Sequence, residues 1–187
     1  MRKALTIGEL LVTMAIIGTI AMLVLPGFMK DYHKRLYTSK LKKSIELITQ
    51  AINLACTDNN VSYFYQTPYV ADTQGFMNKY FKTTNNAGSS FAQQYISVDK
   101  ANTITPGAGF KLGSGEAMAF FCSNGTCTFV IDVNATDGPN VGGRDLFTIN
   151  LDPKENRLFE NGGACTSSAQ GIGCYNRLVQ DNWTMNY

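Results

Sequence analysis

The first 56 residues carry two apolar patterns in succession, and the first is a nearly uninterrupted apolar run over residues 5–25. Glu9 is the single ionisable side chain in that run. A helix of this length measures about 31 Å at roughly 1.5 Å per residue, which matches a bilayer hydrocarbon core of roughly 30 Å. The run therefore predicts a membrane-spanning helix. A carboxylate inside such a helix is costly, which indicates a functional residue.

The second pattern is an apolar stripe in which residues recur every three or four positions. Its members are Phe28, Tyr32, Leu36, Leu41, Ile45, Ile48, Ile52 and Ala55. This spacing predicts an amphipathic helix that continues the first, so one long helix should cover residues 5–56, with a kink or local melting at Pro26. The other face is basic. We expect it to be solvated by default, or to contact anionic lipid headgroups or acidic neighbours, through Lys30, Lys34, Arg35, Lys40, Lys42 and Lys43.

Beyond residue 56 the pattern changes to short segments. Residues 57–73 predict a polar, aromatic loop, and residues 74–82 and 89–96 predict weakly helical pieces. Strands are predicted over residues 110–112, 117–122, 126–133, 146–151 and 157–159, with a hairpin turn at Asn124-Gly125. The expected fold class is α+β. In it, the second half of the long helix packs on a small antiparallel β-sheet in a head formed by residues 57–187.

Charge is distributed unevenly along the chain, although the net charge is only +2. Residues 1–56 carry eight Lys/Arg and three Asp/Glu, whereas residues 57–187 carry eight and eleven. A basic helix and an acidic head make a dipolar chain that is suited to packing beside copies of itself. The negative head disfavours nucleic-acid binding, since phosphate contacts need clustered cations.

The five cysteines bear on the compartment. No Cys-x-x-Cys pair occurs and the chain has one histidine, so a zinc site is disfavoured. Cys122 and Cys127 flank the hairpin turn and predict a disulfide across it, and a Cys165–Cys174 bond would close a glycine-rich loop. Both bonds need an oxidising compartment, which fits a head exported past a membrane anchor, whereas a cytosolic head would keep the cysteines reduced. Cys56 is left over.

The order of residues at the N-terminus resembles one family. Arg2 and Lys3 precede LTIGELLVTMAIIGTI, which looks like the N-terminus of type IV pilins and type II secretion pseudopilins, usually FTLIELLVVIAIIGIL after a short basic leader. In this alignment Glu9 takes the fifth position of the mature chain, where the family keeps a glutamate. Two residues depart from the usual pattern. Ala4 replaces the glycine before the cut, and Leu5 replaces phenylalanine.

The resemblance implies how the N-terminus is processed and used. Prepilin peptidase would remove residues 1–4 as a leader by cutting between Ala4 and Leu5, and the new Leu5 amine would be methylated. In a filament, Glu9 would face the Leu5 amine of a neighbouring subunit within an apolar bundle, where low dielectric strengthens the pair. Pro26 also falls on a family position, at the end of the segment that forms the filament core.

The resemblance also implies a function. The chain would be a structural subunit of a type IV pilus-like filament, a helical homo-oligomer built by an assembly platform. Before assembly it would be a single-pass precursor in the inner membrane, and afterwards an extracellular or periplasmic filament. The alternatives are a pseudopilin of a type II secretion or competence system and, in a different class, a membrane-anchored adhesin or binding module. An enzyme is disfavoured, because His33 lies in the basic helix and no nucleophile motif or phosphate loop occurs.

One loop of the predicted head is rich in oxygen ligands. Asp132, Asn134, Asp137 and Asp145 lie among glycines in a pattern that resembles a calcium loop, although its spacing is not that of an EF-hand. A similar stretch occurs in pilin-like heads. The alternative is that these side chains form turns and bind no metal. Calcium is the one cofactor that the sequence suggests.

Overall fold

The structure is a computed structural model that describes residues 6–84, 88–91, 94–104, 107–135 and 137–187. It is an α+β fold with a pilin-like layout, in which a long N-terminal helix is followed by antiparallel sheets. The helix, α1 (Ile7–Asp58), has 52 residues and confirms the helix predicted over residues 5–56. The chain divides into a unit that ends at Leu36 and a second unit, Tyr37–Tyr187, which we call the head unit.

Helix α1 continues through Pro26 without interruption. Of the two expectations at this position, local melting is therefore wrong, and a kink stays a prediction. Proline has no N–H to donate to the carbonyl of Met22. A single missing bond is a small defect in a helix of 52 residues, because the turns before and after it remain bonded.

Eight strands follow α1 within the described ranges. They are β1 (Gly88–Phe91), β2 (Tyr95–Ile96), β3 (Thr103–Ile104), β4 (Gly107–Lys111), β5 (Ala117–Ser123), β6 (Thr126–Asp132), β7 (Leu146–Asp152) and β8 (Arg157–Phe159). Six of them form an antiparallel sheet in the order β1-β4-β5-β6-β7-β8, and β2 pairs with β3 in a separate two-stranded ribbon.

The strand predictions from β4 to β8 are confirmed, and one helix prediction is wrong. The segment 89–96 is expected to be weakly helical, but its described residues include most of β1 and all of β2, because pairing with β4 and β3 outweighs a weak local propensity. Residues 92–93 of this segment lie outside the described residues. The hairpin between β5 and β6 turns at Asn124 (φ 51°) and Gly125 (φ 78°). These left-handed conformations are the ones that the Asn-Gly turn supplies.

Short helices complete the fold. The predicted loop over residues 57–73 contains two 3₁₀ turns, Phe64–Gln66 and Pro68–Val70. Helix α2 (Thr73–Tyr80) follows, and Asp72 caps it by accepting the N–H of Gly75 at 2.8 Å. Near the C-terminus lie a third 3₁₀ turn, Cys165–Ser167, and helix α3 (Cys174–Gln180).

The main core lies between α1 and one face of the sheet. Because strand residues alternate between faces, β5, β6 and β7 turn Phe120, Phe129 and Ile149 into this core, where they join Leu41 and Ile48 of α1. The rings of Phe120 and Phe129 stack with their centroids 4.3 Å apart. The opposite face of the same strands, which we call the outer face, holds a smaller cluster of Tyr95, Ala117, Ala119, Val130, Ala135 and Leu146.

Candidate functional site

Helix α1 begins with a reciprocal pair of hydrogen bonds. The Glu9 carboxylate accepts bonds from the backbone N–H and from the hydroxyl of Thr6, each at 2.9 Å. The N–H of Glu9 in turn donates to the Thr6 hydroxyl oxygen at 3.3 Å. This capping box satisfies donors that a helix N-terminus otherwise leaves open. The Thr-x-x-Glu spacing is its sequence signature, so Thr6 is a site residue that the sequence-based predictions missed.

The first turns of α1 leave their large apolar side chains exposed. Leu23 is 83% exposed. Ile7, Leu10, Leu11, Val12, Met14, Ile16, Ile17, Ile20, Met22, Val24, Leu25, Phe28 and Met29 are exposed as well. The hydroxyls of Thr13 and Thr19 donate to the carbonyls of Leu10 and Ile16 at 2.8 Å, so neither presents an unpaired donor to an apolar environment. By length and composition, α1 is able to cross a membrane.

The structure describes only some of the predicted processing and assembly residues. Ala4 and Leu5 lie outside the described residues, so the cleavage site stays a prediction. Glu9 and Pro26 both lie on α1, one in its first turn and the other within the exposed apolar stretch. The structure therefore gives Glu9 a local partner, Thr6, and leaves the predicted partner, the amine of a neighbouring Leu5, as a prediction.

The acidic loop, residues 132–145, connects two central strands. Asp132 ends β6, and Asp145 directly precedes β7. Both side chains are fully buried. Asp132 accepts a hydrogen bond from the hydroxyl of Tyr95 and one from the N–H of Asn134 at 3.0 Å. Asp145 accepts the N–H groups of Asn140 at 2.6 Å and of Val141 at 2.7 Å.

Burial dominates the ionisation of this pair. It raises the pKa of Asp132 to about 7, because loss of solvent penalises the charged form more than Tyr95 and Asn134 favour it. The charge of Asp145 adds to this effect. Burial also raises the pKa of Asp145 to about 6, against the hydrogen bonds from the backbone N–H groups of Val141 and Asn140. The two carboxyls therefore resist carrying two negative charges together.

The middle of the acidic loop is organised by Asn134. Its NH₂ group donates to the carbonyl of Asp137 at 2.6 Å and to the carbonyl of Gly138 at 2.9 Å. The Asp137 side chain itself is exposed. These bonds are the turn-forming role that short polar side chains play in loops.

The acidic side chains of this loop do not form a cation cage. Among the described residues, no three acidic, histidine or cysteine side chains lie close enough together to hold a metal ion. The amide oxygens of Asn134 and Asn140 are buried without a hydrogen-bond partner, so neutral oxygen donors are present. Of the charged donors that calcium prefers, Asp132 and Asp145 accept the hydrogen bonds given above, and Asp137 is exposed. Calcium binding stays a prediction, and no role given below to the loop depends on it.

Three residues that the sequence-based site did not include hold the acidic loop in place. The Tyr37 hydroxyl donates to the Gly138 carbonyl at 3.4 Å, and the Lys40 ammonium donates to the Val133 carbonyl at 3.0 Å. Tyr95 reaches the loop from β2. Tyr37 lies four residues before Leu41, so the helical spacing of the apolar stripe could have found it. No sequence pattern pointed to Tyr95. Its segment was expected to be helical, so the strand that brings it to the loop was not predicted.

The basic face of α1 is not uniformly solvated. Lys40 is bound to the acidic loop, and the Lys42 ammonium lies 5.8 Å from the centroid of the Trp183 ring, within the range of a cation–π contact. Arg35 and Lys43 are exposed, as the default expectation has it. The expectation of a solvated face is therefore wrong for Lys40.

Both predicted disulfides are present. Cys122 and Cys127 are bonded and face each other across the β5–β6 hairpin. Cys165 and Cys174 are bonded and buried, and they close the loop that precedes α3. Gly143 (φ 86°) approaches this second disulfide so closely that a Cβ atom there would collide with the Cys174 sulfur, which leaves no room for another residue.

The remaining cysteine is a buried thiol. Cys56 is unpaired, and its sulfur accepts a hydrogen bond from the Asn156 NH₂ group at 3.7 Å. Burial raises the pKa of Cys56, which keeps it in the unreactive thiol form. Its position in the main core gives it a packing role.

Comparison with known proteins finds no matching family model, no matching curated protein and no matching solved structure.

Proposed function

We propose that the chain is a structural subunit of a type IV pilus-like filament, which is held in the inner membrane, processed by prepilin peptidase between Ala4 and Leu5, and assembled through its N-terminal helix. The observation that carries the proposal is the apolar surface of α1, which is exposed on all sides from Ile7 to Met29. An apolar surface of this size needs a cover. A bilayer supplies one before assembly, and the same helix of neighbouring subunits supplies one afterwards.

Glu9 distinguishes the bilayer from the helix bundle, because only the bundle would offer its carboxylate a charged partner. In the isolated chain its carboxylate is satisfied by Thr6 but still carries a charge near an apolar surface. Removal of residues 1–4 would create an amine at Leu5, one residue before Thr6. Packing subunits side by side would then bring amines and carboxylates together at one level of the bundle. A charge pair in low dielectric serves register more than net stability, so Glu9 would set how neighbours align.

The head unit is consistent with a subunit that works outside the cytoplasm. Its two disulfides need an oxidising compartment. A pseudopilin of a secretion or competence system shares this requirement, and so does a membrane-anchored binding module. The binding module differs in one respect, since it requires neither the cut after Ala4 nor a charge at Glu9.

Three matched variants separate the charge of Glu9 from its capping role. Glu9→Gln keeps the hydrogen bonds of the capping box and removes the charge, Thr6→Ala weakens the box and keeps the charge, and Glu9→Ala removes both. The proposal predicts that Glu9→Gln and Glu9→Ala sharply reduce incorporation into sheared filaments, whereas Thr6→Ala assembles. All three should insert in the membrane. Normal polymerisation of Glu9→Gln would contradict the role in assembly that is proposed for the charge of Glu9.

Mass spectrometry of the native filament or membrane fraction tests the processing step directly. The expected mass lacks residues 1–4 and carries a methyl group on the Leu5 nitrogen. The same spectrum reports whether Thr6→Ala, which lies two residues after the cut, has changed cleavage instead of assembly. An intact Met1 terminus in sheared filaments contradicts the processing proposed here.

A further inference from the structure

The outer face of the sheet is only partly covered. Ala117, Ala119 and Leu146 form a buried cluster with Tyr95 of β2, and Ile104 of β3 packs against it. Farther along the same strands the face is open, and Phe121 there is 49% exposed. Neither the proposed assembly through α1 nor the acidic loop uses this part of the head unit.

A cavity of about 350 Å³ occupies the open part of the outer face. Its floor is formed by β6 and β7, through Thr128, Val130, Thr148 and Asn150. Phe121 of β5 lies at one side. Ile104 of β3 lines the cavity as well, so the two-stranded ribbon that covers the neighbouring cluster also supplies part of this wall.

The second disulfide helps to build the opposite wall. Gln170 and Ile172 line the cavity, and both lie in the loop that the Cys165–Cys174 bond closes. The Thr148 hydroxyl donates to the Gln170 carbonyl at 2.8 Å, which ties this loop to the floor. The wall is therefore fixed by the disulfide and by hydrogen bonds, which also include those from the Asn102 NH₂ group to the Ser167 carbonyl at 2.7 Å and from the Asp99 N–H to the Thr166 carbonyl at 2.9 Å.

The chemistry of the lining is neutral and mixed. Among the described residues that line the cavity, none is charged. Three carry carboxamides, namely Asn150, Asn161 and Gln170, and each carboxamide has both donor and acceptor groups. The Thr128 hydroxyl donates to the Asn150 side-chain oxygen at 2.9 Å. This bond fixes the Asn150 carboxamide, whose NH₂ group retains its donors.

We propose that this cavity binds a neutral saccharide, with Phe121 contacting the apolar C–H face of a sugar ring and Asn150 and Gln170 bonding its hydroxyls. A sugar ring presents adjacent hydroxyls that both donate and accept, together with C–H faces that aromatic rings cover. Carboxamides match the hydroxyls, and an uncharged lining matches an uncharged ligand. A recess that combines apolar side chains with a few placed polar groups is typical of small-molecule sites.

Other occupants fit the cavity less well. An added peptide strand binds to an open sheet edge, whereas β5, β6 and β7 are each paired on both sides. A charged ligand would meet no counter-charge among the described lining residues. A second copy of this chain, seated on the outer face in a filament, is an outcome that the test below separates.

The test uses the full chain in micelles of a polyoxyethylene ether detergent, which has no sugar headgroup. Saturation-transfer NMR is recorded with a panel of neutral disaccharides of hexoses and N-acetylhexosamines, and with sialylated and sulfated counterparts. We expect signals from neutral members of the panel. Phe121→Ala should weaken binding by roughly fivefold or more, and Asn150→Ala should weaken it as well.

The matched control is Tyr65→Ala, which removes an aromatic ring of similar exposure, 48%, from outside the cavity. It should leave saccharide binding unchanged. Trp183 fluorescence and the melting temperature show whether each variant is folded. Cys165→Ser/Cys174→Ser should lose binding, because the wall that carries Gln170 and Ile172 is released.

Several outcomes would overturn the proposal. They are no binding of any neutral saccharide by folded protein, equal binding of the charged counterparts, and binding that Phe121→Ala leaves intact. Efficient cross-linking of Phe121→Cys between subunits in filaments would assign the outer face to a second copy instead. Because binding is measured on unassembled chains, its failure says nothing about Glu9, and failure of the Glu9 variants says nothing about the cavity.

Discussion

The two halves of α1 carry similar apolar side chains and differ in what covers them. Leu23, in the first half, is almost fully exposed, and Leu41, in the second half, is fully buried within the head unit. The second half needs only a stripe, because one face meets the sheet and the other meets water. The first half is apolar on all sides, which means that no single protein surface in the same chain can cover it. The arrangement of the apolar residues around the helix, more than their number, therefore distinguishes a segment that folds within its own chain from one that needs other molecules.

The acidic residues of the two regions show the same contrast. Glu9 is exposed and satisfied by one neighbour in its own helix turn. Asp132 and Asp145 are buried and satisfied by groups that lie on a distant strand or along their own loop. Loss of Glu9 should therefore affect contacts between molecules, whereas loss of either aspartate should affect the stability of the head unit itself.

The largest expected effect separates the two halves of α1 directly. Leu41→Ala should lower the free energy of unfolding by roughly 2–5 kcal/mol, because it leaves a cavity in the main core. Leu23→Ala in the same micelles should change it by less than about 0.5 kcal/mol. Urea unfolding followed by Trp183 fluorescence reports on the head unit. Equal losses for the two variants would mean that the first half also folds against the head.

The second prediction concerns how the head unit is closed. Cys165→Ser/Cys174→Ser should lower the free energy of unfolding by roughly 3 kcal/mol, because the bond closes a loop whose cysteines are both buried. Cys122→Ser/Cys127→Ser is the matched control and should cost less, about 2 kcal/mol or below, since backbone pairing already holds that hairpin. The helical content of α1, followed by circular dichroism, should be unchanged in both variants. The reverse order of costs contradicts this prediction.

The third prediction follows from the buried aspartates. Their folded pKa values, about 7 and about 6, lie above the ordinary value of 3.8, so the folded state holds more protons than the unfolded state between about pH 4 and pH 7. Their contribution to stability is complete below pH 4 and is lost as the pH rises through 7. In EDTA, the free energy of unfolding of Asp132→Asn should therefore rise relative to that of the wild type between pH 5 and pH 8, by on the order of 2 kcal/mol.

Calcium sharpens this measurement. A bound cation favours the charged carboxylates, so excess calcium should reverse the pH trend of the wild type and leave Asp132→Asn unaffected if the predicted site forms. An identical trend in calcium and in EDTA would remove the calcium prediction. If the wild type instead becomes more stable relative to Asp132→Asn as the pH rises in EDTA, burial does not raise the pKa of Asp132.

Much of this fold could be predicted from local patterns. The period of the stripe from Phe28 to Ala55 indicates a helix whatever surrounds it, and Asn124-Gly125 specifies a tight turn by its own backbone preferences. The segment around residues 89–96 could not be predicted in this way, because its strands exist only through pairing with distant partners. Pro26 is a similar case, since the effect of one missing bond depends on the turns around it.

The candidate sites divide along the same line. Glu9 stood out because a charge in an apolar run is visible in the sequence. The acidic loop was visible as a cluster of oxygen ligands, but its partners Tyr37 and Tyr95 are distant in the sequence. Helical spacing marks Tyr37 only as a buried position of α1, and no motif marks Tyr95. The cavity on the outer face was not visible at all, because its wall depends on which surface the Cys165–Cys174 loop packs against.

The smallest expected effect tests whether α1 holds the acidic loop. Tyr37→Phe removes a hydroxyl that donates to the Gly138 carbonyl at 3.4 Å. A neutral hydrogen bond of this length contributes little, so the loss in unfolding free energy should be about 0.5–1 kcal/mol. Tyr32→Phe, on the exposed side of the same helix, is the matched control and should cost nothing measurable. Hydrogen exchange of the Asn140 and Val141 amides should quicken in Tyr37→Phe alone, because those amides depend on the loop staying in place over Asp145. Equal exchange in both variants would show that Asp145 holds the loop without help from α1.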